Sequence, residues 1–160
     1  QLPVDEALKN LMLCLDNIQD PGNLGTIVRI ADWFNIADIV CSADTADVYN
    51  PKVIQATMGS ICRVRVHYTG LYDFLKLSNE RKIQVFGTLL DGENIYSASL
   101  PAHGIIVLGN EGNGISSELL PFINRKITIP DFTKGEKTAE SLNVSVAAAI
   151  VISEFRRRTL

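Results

Sequence analysis

The sequence predicts a single α/β domain with a mostly parallel sheet flanked by helices. Two observations support this fold class: short apolar runs typical of buried strands alternate with segments of helical periodicity, and the alternation continues along nearly the whole chain. The 160 residues are enough for one domain with one core. No repeat, low-complexity tract or internal linker divides the sequence, so we expect residues 1–160 to form one domain.

The predicted elements follow one another in a regular order. Strands are predicted at residues 11–15, 38–42, 63–69, 83–90, 104–108 and 126–129. Helices are predicted at residues 23–35, 50–59, 71–77 and 143–158. The apolar runs at 83–90 and 104–108 are typical of central strands, whereas residues 63–69 alternate apolar and polar side chains as a half-exposed strand does.

Boundary and face signals support the helices. In the first helix the apolar residues between Leu24 and Phe34 recur at helical spacing, so one face should pack on the sheet. Asn50 followed by Pro51 predicts the start of the second helix, and Gly59 predicts its end.

The last predicted helix, residues 143–158, is apolar on nearly every face as far as Ile152. Such a helix must be covered on all sides. In a domain of this size we therefore expect it to form part of a subunit interface as well as part of the core. Its last turn contains Arg156, Arg157 and Arg158, whose charges suit the negative end of the helix dipole.

Composition and charge limit the classes of function. The formal net charge of −3 argues against a protein whose affinity comes mainly from coating RNA phosphates with lysine and arginine. No apolar run is long enough to span a bilayer, and no signal segment opens the chain, so we expect a cytoplasmic protein that is not bound to a membrane. Because the chain begins at Gln1, we expect it to be a fragment of a longer protein.

The cysteines and histidines do not suggest a metal centre. Cys14, Cys41 and Cys62 lie far apart in apolar stretches, and each is expected to be a small buried thiol in a reducing compartment. His67 and His103 are isolated from these cysteines and from each other in the sequence. We therefore expect no metal site.

Three sequence motifs contain the candidate functional residues. The first runs from Asn23 to Arg29 and includes Gly25 and Thr26. Arg29 lies four residues after Gly25 and three after Thr26, so these residues are expected on the helix face opposite the apolar stripe. Taken alone, the motif favours an ordinary helix start capped by Asn23, with an exposed arginine.

The second motif is the glycine-rich run from Gly109 to Gly114, directly after an apolar strand. Open α/β sheets bind ligands at the carboxyl ends of their strands, and glycines let the backbone approach a ligand closely. The spacing is neither that of a dinucleotide-binding fingerprint nor that of a phosphate-binding loop with its lysine. A long turn would also explain the glycines, although the acidic Glu111 within the run fits a simple turn less well.

The third motif begins at Ile129 and Pro130 and ends with Ser141, Leu142 and Asn143, before the last helix. Ser141 and Asn143 would serve as ordinary helix caps. The alternative is a ligand site, in which backbone amides hold a ligand while these two side chains present polar groups to a substrate.

Together, in this order and spacing, the three motifs closely resemble the signature motifs of the SpoU (TrmH-like) branch of the SPOUT methyltransferase superfamily. The resemblance covers residues 11–158. It implies an RNA ribose 2′-O-methyltransferase that uses S-adenosyl-L-methionine, acts on ribosomal or transfer RNA as a homodimer, and has a C-terminal trefoil knot in its α/β fold. One alternative is a non-catalytic S-adenosylmethionine- or RNA-binding module of the same fold, and another is an unrelated α/β enzyme with a small-molecule substrate. The presence of Arg29 and Asn143 favours the enzyme of the family.

The resemblance also implies which residues form the site. In the family the cofactor lies in the knot against backbone groups, and the matching positions here are Gly109, Asn110, Ile129 and Leu142, with Thr88 and Leu89, in the turn after the preceding strand, as a further adenosyl-lining segment. The positions that match polar and catalytic family residues are Arg29, Asn23, Glu111, Ser141 and Asn143. In the family the active site forms across the dimer, and the arginine can come from the other subunit.

Two departures from the family pattern are visible. Residues 131–140 form a longer link than in most members, and we interpret them as a small insertion. Many relatives also carry an N-terminal RNA-binding domain, which has no counterpart in these 160 residues.

Overall fold

The computed structural model describes residues 4–133 and 141–159, and it confirms the alternation of strands and helices. The strands are β1 (Leu11–Leu15), β2 (Asp38–Cys41), β3 (Arg65–Tyr68), β4 (Val85–Asn94), β5 (Gly104–Leu108) and β6 (Arg125–Thr128). The helices are α1 (Pro21–Trp33), α2 (Pro51–Thr57), α3 (Leu71–Glu80) and α4 (Val144–Arg157). Short 3₁₀ turns lie at Val4–Leu8, Ser60–Cys62 and Leu120–Phe122.

The six strands form one parallel sheet in the order β3-β2-β1-β5-β4-β6, as the prediction of a mostly parallel sheet requires. β1 lies between β2 and β5, with Leu13 aligned with Ile39 on one side and with Ile106 on the other. The chain adds β2 and β3 on one side of β1 and the later strands on the other. The carboxyl ends of β1 and β5 therefore meet at the point where an open α/β sheet commonly binds its ligand.

Both faces of the sheet are covered, which explains why β1 and β5 are apolar throughout. Alternate residues of β1 face opposite layers. Leu13 packs in the cluster that includes residues of α1 and α4, whereas Met12 packs in the cluster that includes residues of α3. All residues of both strands are buried, and removal of this apolar surface from water contributes about 25 cal/mol per Å² to stability.

Helices α1 and α4 run side by side on one face of the sheet, and hydrogen bonds join them at both ends. Near their N-termini, Asn143 Nδ2 donates to Asn23 Oδ1 over 3.0 Å. Near their C-termini, Arg156 donates to the backbone carbonyls of Phe34 and Asn35 over 2.8 and 2.9 Å. The arginine thus satisfies acceptors beyond the end of α1. Both helix N-termini are consequently held together at the carboxyl edge of the sheet.

Helix α1 starts two residues earlier than predicted. Asp20 caps it by accepting a hydrogen bond from the backbone amide of Asn23 over 2.7 Å, and Pro21 occupies the first turn. Because Asp20 is the cap, Asn23 lies inside the helix and its side chain is available for other contacts.

Gly25, predicted on the exposed face of α1, is buried against α2. A Cβ added to Gly25 would lie 2.5 Å from the Cβ of Ala56 and 2.7 Å from the carbonyl oxygen of Val53. The lack of a side chain therefore allows the two helices to approach each other. Thr26 and Arg29 are exposed, as predicted.

The cysteines differ from one another in burial. Cys14 and Cys41 are buried as predicted, and burial raises the pKa of the Cys41 thiol to about 12. Cys62 is exposed, contrary to the prediction, because it lies in a short turn before the edge strand β3. In the part of the chain that the structure describes, no group of three or more histidine, cysteine or acidic side chains is placed to hold a metal ion.

Thr88 and Leu89, which the family resemblance places in a turn, lie within β4, as the strand predicted at residues 83–90 requires, and β4 runs beyond its predicted end. The strand continues to Asn94, and its pairing with β6 shifts register between Thr88 and Glu93. The two predicted cofactor residues therefore lie inside an irregular strand and not in a turn after it.

Helix α4 has a buried side and a side that the single chain leaves open. Ala148 and Ile152 are buried, whereas Val146 is 49% exposed and Ile150 is half-buried. None of the helices in residues 4–133 and 141–159 has the length and apolar character needed to cross a membrane.

Candidate active site

The candidate site lies where β1 and β5 end side by side, and the glycine-rich loop after β5 is bonded to the end of β1. Asp16, which is buried, accepts a hydrogen bond from the backbone amide of Ser116 over 2.6 Å. Its own amide donates to the carbonyl of Leu108 over 2.9 Å. Asn110 Nδ2 donates to the carbonyl of Asn17 over 2.9 Å. The end of β1 therefore holds the loop at both of its ends.

Within the loop the backbone folds back on itself. The main chains of Asn110 and Gly114 exchange two hydrogen bonds of 3.0 and 2.8 Å, and Asn110 Oδ1 accepts from the amides of Gly112 and Asn113. A Cβ added to Gly109 would lie only 2.2 Å from the carbonyl carbon of Gly114. Gly109 is required here because two backbone segments approach this closely.

One residue from each motif meets the others in a hydrogen-bonded group, which we call the Asn23–Glu111–Asn143 set. Asn23 Nδ2 donates to Glu111 Oε1. Asn143 Nδ2 donates to Asn23 Oδ1 over 3.0 Å and to the same Glu111 oxygen over 3.1 Å. Asn23 and Glu111 are 88 positions apart in the sequence, so only the fold brings them together.

Asn143 both caps α4 and belongs to this set. Its Oδ1 accepts hydrogen bonds from the amides of Ser145 and Val146, over 3.0 and 3.2 Å, and from the Ser145 hydroxyl over 2.6 Å. Because capping fixes Oδ1, Nδ2 is directed toward Asn23 and Glu111. Helix capping and a place in the site, which are alternatives at the level of sequence, are combined in one side chain.

A cleft of about 240 Å³ opens beside the set. It is lined by Ile18, Gln19, Asp20, Asn23, Asn110, Glu111 and Gly112. Glu111 Oε2 has no hydrogen-bond partner within residues 4–133 and 141–159, so this oxygen can accept a hydrogen bond from a ligand in the cleft.

Two of the five predicted catalytic residues lie outside the set. Arg29 is exposed on α1, and no hydrogen bond or ion pair joins it to another residue in the described ranges. Ser141 is also exposed before α4 and lacks a hydrogen-bond partner among the same residues. The predicted insertion, residues 131–140, lies outside the described residues from position 134 onward.

The predicted cofactor residues lie along one edge of the sheet, at or near the ends of three adjacent strands and before α4. They are Gly109 and Asn110 after β5, Thr88 and Leu89 in β4, Ile129 after β6, and Leu142 before α4. Thr88, Leu89 and Ile129 are half-buried, and Leu142 is 48% exposed. Partly buried apolar side chains beside a glycine backbone fit an adenosyl group held mainly by main-chain contacts.

The sequence motifs do not include Asp16 and Asn17, which hold the loop in place. From the sequence these residues mark only the end of a strand. The available signal is a charged residue directly after a fully apolar strand, because such a residue is buried only when it has partners. Asn17 also has φ of 58°, in the left-handed region that asparagine tolerates better than most residues.

Comparison with known protein families gives a match to the model of the SpoU rRNA Methylase family over residues 10–153. The chain belongs to this family. The three motifs identified in the sequence lie within the matched residues, and one residue from each meets the others in the Asn23–Glu111–Asn143 set.

Two curated SpoU relatives are similar over nearly the whole chain. The chain is 33% identical over 151 residues to the 23S rRNA (guanosine(2553)-2′-O)-methyltransferase RlmP of Bacillus subtilis (strain 168), covering 94% of this chain and 59% of that protein. It is also 33% identical over 162 residues to the 23S rRNA (guanosine-2′-O-)-methyltransferase RlmB of Neisseria meningitidis serogroup B, covering 97% and 63%. The chain thus spans less than two thirds of the length of these relatives.

Solved structures of the family confirm the fold. A protein described as an RNA methyltransferase of the TrmH family from Porphyromonas gingivalis superposes with a TM-score of 0.87 at 45% identity, covering 93% of this chain and 60% of that one. An rRNA methyltransferase from Sinorhizobium meliloti with bound S-adenosylmethionine superposes with a TM-score of 0.84 at 30% identity, covering 95% and 57%.

Proposed function

We propose that this chain is the catalytic domain of an S-adenosylmethionine-dependent methyltransferase that methylates a ribose 2′-oxygen in ribosomal or transfer RNA. The observation that carries the proposal is the meeting of Asn23, Glu111 and Asn143, one from each motif, beside a cleft at the carboxyl edge of the sheet. The two curated relatives, both named as 2′-O-methyltransferases of 23S rRNA, support the reaction and the substrate class. The Sinorhizobium meliloti structure supports the cofactor. The C-terminal knot and a cytoplasmic location belong to the same proposal.

In this proposal the residues of the set orient the ribose. S-adenosylmethionine, when bound, supplies an electrophilic methyl group on a positively charged sulfur. Glu111 Oε1 is held by the amides of Asn23 and Asn143, so Oε2 is directed to accept a hydrogen bond from the ribose 2′-hydroxyl. Fixed alignment of the reacting oxygen is worth about 7–11 kcal/mol of the barrier.

Arg29 stabilises the negative charge that develops on the 2′-oxygen or on an adjacent phosphate. A guanidinium offers only N–H donors and no acceptor atom, so in this proposal Arg29 does not act as the base. The proton leaves through Glu111, a phosphate or water. Arg29 is exposed and has no partner in the described part of the chain. This suits a residue that pairs with a negative charge only when RNA is bound.

The proposed active form is a homodimer whose interface includes the exposed face of α1 and α4. Trp33 on α1 is 85% exposed and Val146 on α4 is 49% exposed, with Ile30 and Ile150 half-buried on the same helices. A second copy would cover this apolar surface. Arg29 lies four residues before Trp33, on the same side of α1, so the interface would bring Arg29 toward the partner's site.

The substitution Val146→Glu is expected to raise the dimer dissociation constant at least about 30-fold, the effect of a change of about 2 kcal/mol at the centre of an interface. The reason is that the dimer would bury an unpaired carboxylate. Leu77→Glu is the matched control, because Leu77 is 36% exposed on α3, on the opposite face of the sheet. Light scattering after size-exclusion chromatography measures the outcome. A dimer equally stable in both variants would exclude α4 from the interface.

The first experiment is a calorimetric titration of the chain with S-adenosylmethionine. We expect about one site per subunit.

Transfer of a tritiated methyl group to unmodified ribosomal or transfer RNA then tests catalysis. Alkaline hydrolysis locates the methyl group, because alkaline cleavage requires a free 2′-hydroxyl and a methylated ribose protects its phosphodiester. Methylated RNA that remains fully sensitive to alkali would contradict ribose methylation. Cofactor binding without transfer to any RNA would favour the non-catalytic module.

A further inference from the structure

A second cleft, of about 450 Å³, runs along β3, the strand at the edge of the sheet. It is lined by Val48, Tyr49 and residues 61–67, and we call it the edge groove. The groove brings together an exposed aromatic ring, two arginines and a histidine. Proteins that bind single-stranded nucleic acid combine aromatic and basic side chains in this way.

Tyr49 presents its ring from a fixed backbone. The residue is 73% exposed, yet its amide donates to Asp47 Oδ1 over 2.9 Å. The hydroxyl of Tyr68 donates to the carbonyl of Ala46 over 2.5 Å and accepts from the amide of Val48 over 2.8 Å. The loop backbone is thus hydrogen-bonded at Ala46, at Val48 and at Tyr49 itself. A base that stacks on Tyr49 would therefore need little ordering of the backbone.

Two arginines line the other end of the groove and are held by carboxylates. Arg63 donates through Nε and Nη2 to Asp32, and Arg65 donates through Nε and Nη2 to Asp38. The two arginine side chains are 60% and 61% exposed, and their Nη1 atoms have no hydrogen-bond partner among the described residues. A guanidinium that is already fixed can offer this free edge to a phosphate with little further loss of side-chain freedom.

The pairing of Arg65 is reinforced by a third residue. His67 Nε2 lies 2.9 Å from Asp38 Oδ1. Burial raises the pKa of the Asp38 carboxyl, but hydrogen bonds from Arg65 and His67 outweigh this effect and hold the pKa below its usual value. Asp38 therefore stays charged at neutral pH and keeps Arg65 in place.

The loop that carries Tyr49 is bonded directly to the wall of the candidate active site. Ile18, which lines the active-site cleft, donates its amide to Thr45 Oγ1 over 3.3 Å and accepts from the amide of Ala46 over 2.9 Å. The amide of Asn17 donates to Ser42 Oγ over 2.8 Å. The loop that leads to Val48 and Tyr49 in the edge groove is therefore bonded to the end of β1 and to Ile18 of the active-site cleft.

We propose that the edge groove binds the single-stranded RNA next to the methylated nucleotide, with one base stacked on Tyr49 and phosphates against Arg63 and Arg65. This inference rests on the proposed RNA methyltransferase function and adds the path of the substrate. Stacking and phosphate contacts are independent of sequence, so the groove holds the strand without selecting its bases.

The test measures how the full chain binds a fluorescein-labelled, single-stranded RNA of mixed sequence, about 12 nucleotides long so that it spans a binding site of common size. Fluorescence anisotropy at low salt gives the affinity. Tyr49→Ala should weaken binding about tenfold, and Tyr49→Phe should bind as the wild type does, because stacking needs only the ring. A plot of log affinity against log salt concentration has a negative slope, and Arg63→Gln should make this slope less steep by about 0.7, the loss of one phosphate contact. Calorimetry should show unchanged affinity for S-adenosylmethionine in all three variants.

Tyr72→Ala is the matched control, since Tyr72 is 47% exposed on α3, on the opposite face of the sheet, and its loss should leave RNA binding unchanged. The proposal is overturned if Tyr49→Ala binds the RNA as tightly as Tyr72→Ala. It is also overturned if the wild type binds S-adenosylmethionine but not the RNA, or if Tyr49→Ala separates a dimer into monomers. A wild type that binds the RNA through Tyr49 but does not bind S-adenosylmethionine would support the groove and contradict the proposed function.

Discussion

Replacement of Arg29 by alanine is expected to lower the turnover of methyl transfer about 10²–10³-fold, the effect of removing one donor that stabilises developing negative charge. The affinity for S-adenosylmethionine should stay close to that of the wild type, because Arg29 is assigned to the ribose and not to the cofactor. Stability should also be unchanged, since Arg29 is exposed and unbonded within residues 4–133 and 141–159. Single-turnover rates, calorimetric affinities and melting temperatures test these three statements.

Two further variants separate the charge of Arg29 from its geometry. Arg29→Lys keeps the charge but loses the planar guanidinium, so it should recover only part of the rate. Lys76→Ala removes an exposed cation from α3, on the opposite face of the sheet, and should turn over as the wild type does. Equal losses of turnover and cofactor affinity in Arg29→Ala would instead place Arg29 in cofactor binding.

Mixed dimers test whether Arg29 acts on the partner's site. When Arg29→Ala and Glu111→Gln chains are combined, a mixed dimer has one intact site if Arg29 comes from the other subunit and none if it acts within its own chain. Random mixing of two chains in a symmetric dimer makes half of the dimers mixed, so about a quarter of wild-type activity should return. No return of activity would mean that Arg29 serves its own chain.

The substitution Gly109→Ala is expected to destabilise the chain by about 1–3 kcal/mol through overpacking. It should also weaken S-adenosylmethionine binding at least about tenfold, a loss of about 1.4 kcal/mol, because the loop backbone predicted to hold the cofactor must shift to admit the added methyl group. The added Cβ would meet backbone atoms, 2.2 Å from the Gly114 carbonyl carbon and 2.3 Å from the Ile115 nitrogen. Backbone atoms cannot move aside as the end of a flexible side chain can. Denaturant unfolding and calorimetry measure the two effects.

Gly112→Ala provides a control in the same loop. A Cβ at position 112 would have Asn110 Oδ1 as its nearest neighbour, at 3.5 Å, which is ordinary van der Waals contact. This variant should keep near-wild-type stability and cofactor affinity. If the two alanine variants behave alike, the close approach at Gly109 does not shape the cofactor site.

Local features of the chain were predicted from sequence because their causes lie within a few residues. β1 and β5 have the predicted bounds, since each is a run of apolar residues, which is typical of a strand in a sheet that is covered on both faces. Asn50 and Asn143 cap α2 and α4 as expected, because a cap bonds to amides two or three residues away. The order of the three motifs along the chain was sufficient to identify the family, which the match over residues 10–153 confirms.

The sequence by itself thus determined the α/β class, most elements and the candidate residues, whereas only the tertiary structure decided which of those residues meet. Strand order places the end of β5 beside that of β1, and this long-range pairing leaves no mark in local periodicity. The meeting of Asn23, Glu111 and Asn143 follows from it. Helix periodicity likewise places Gly25 opposite the apolar stripe, but the approach of α2 buries it. Local patterns indicate which side chains of a segment are buried, and packing between distant segments decides which residues are in contact.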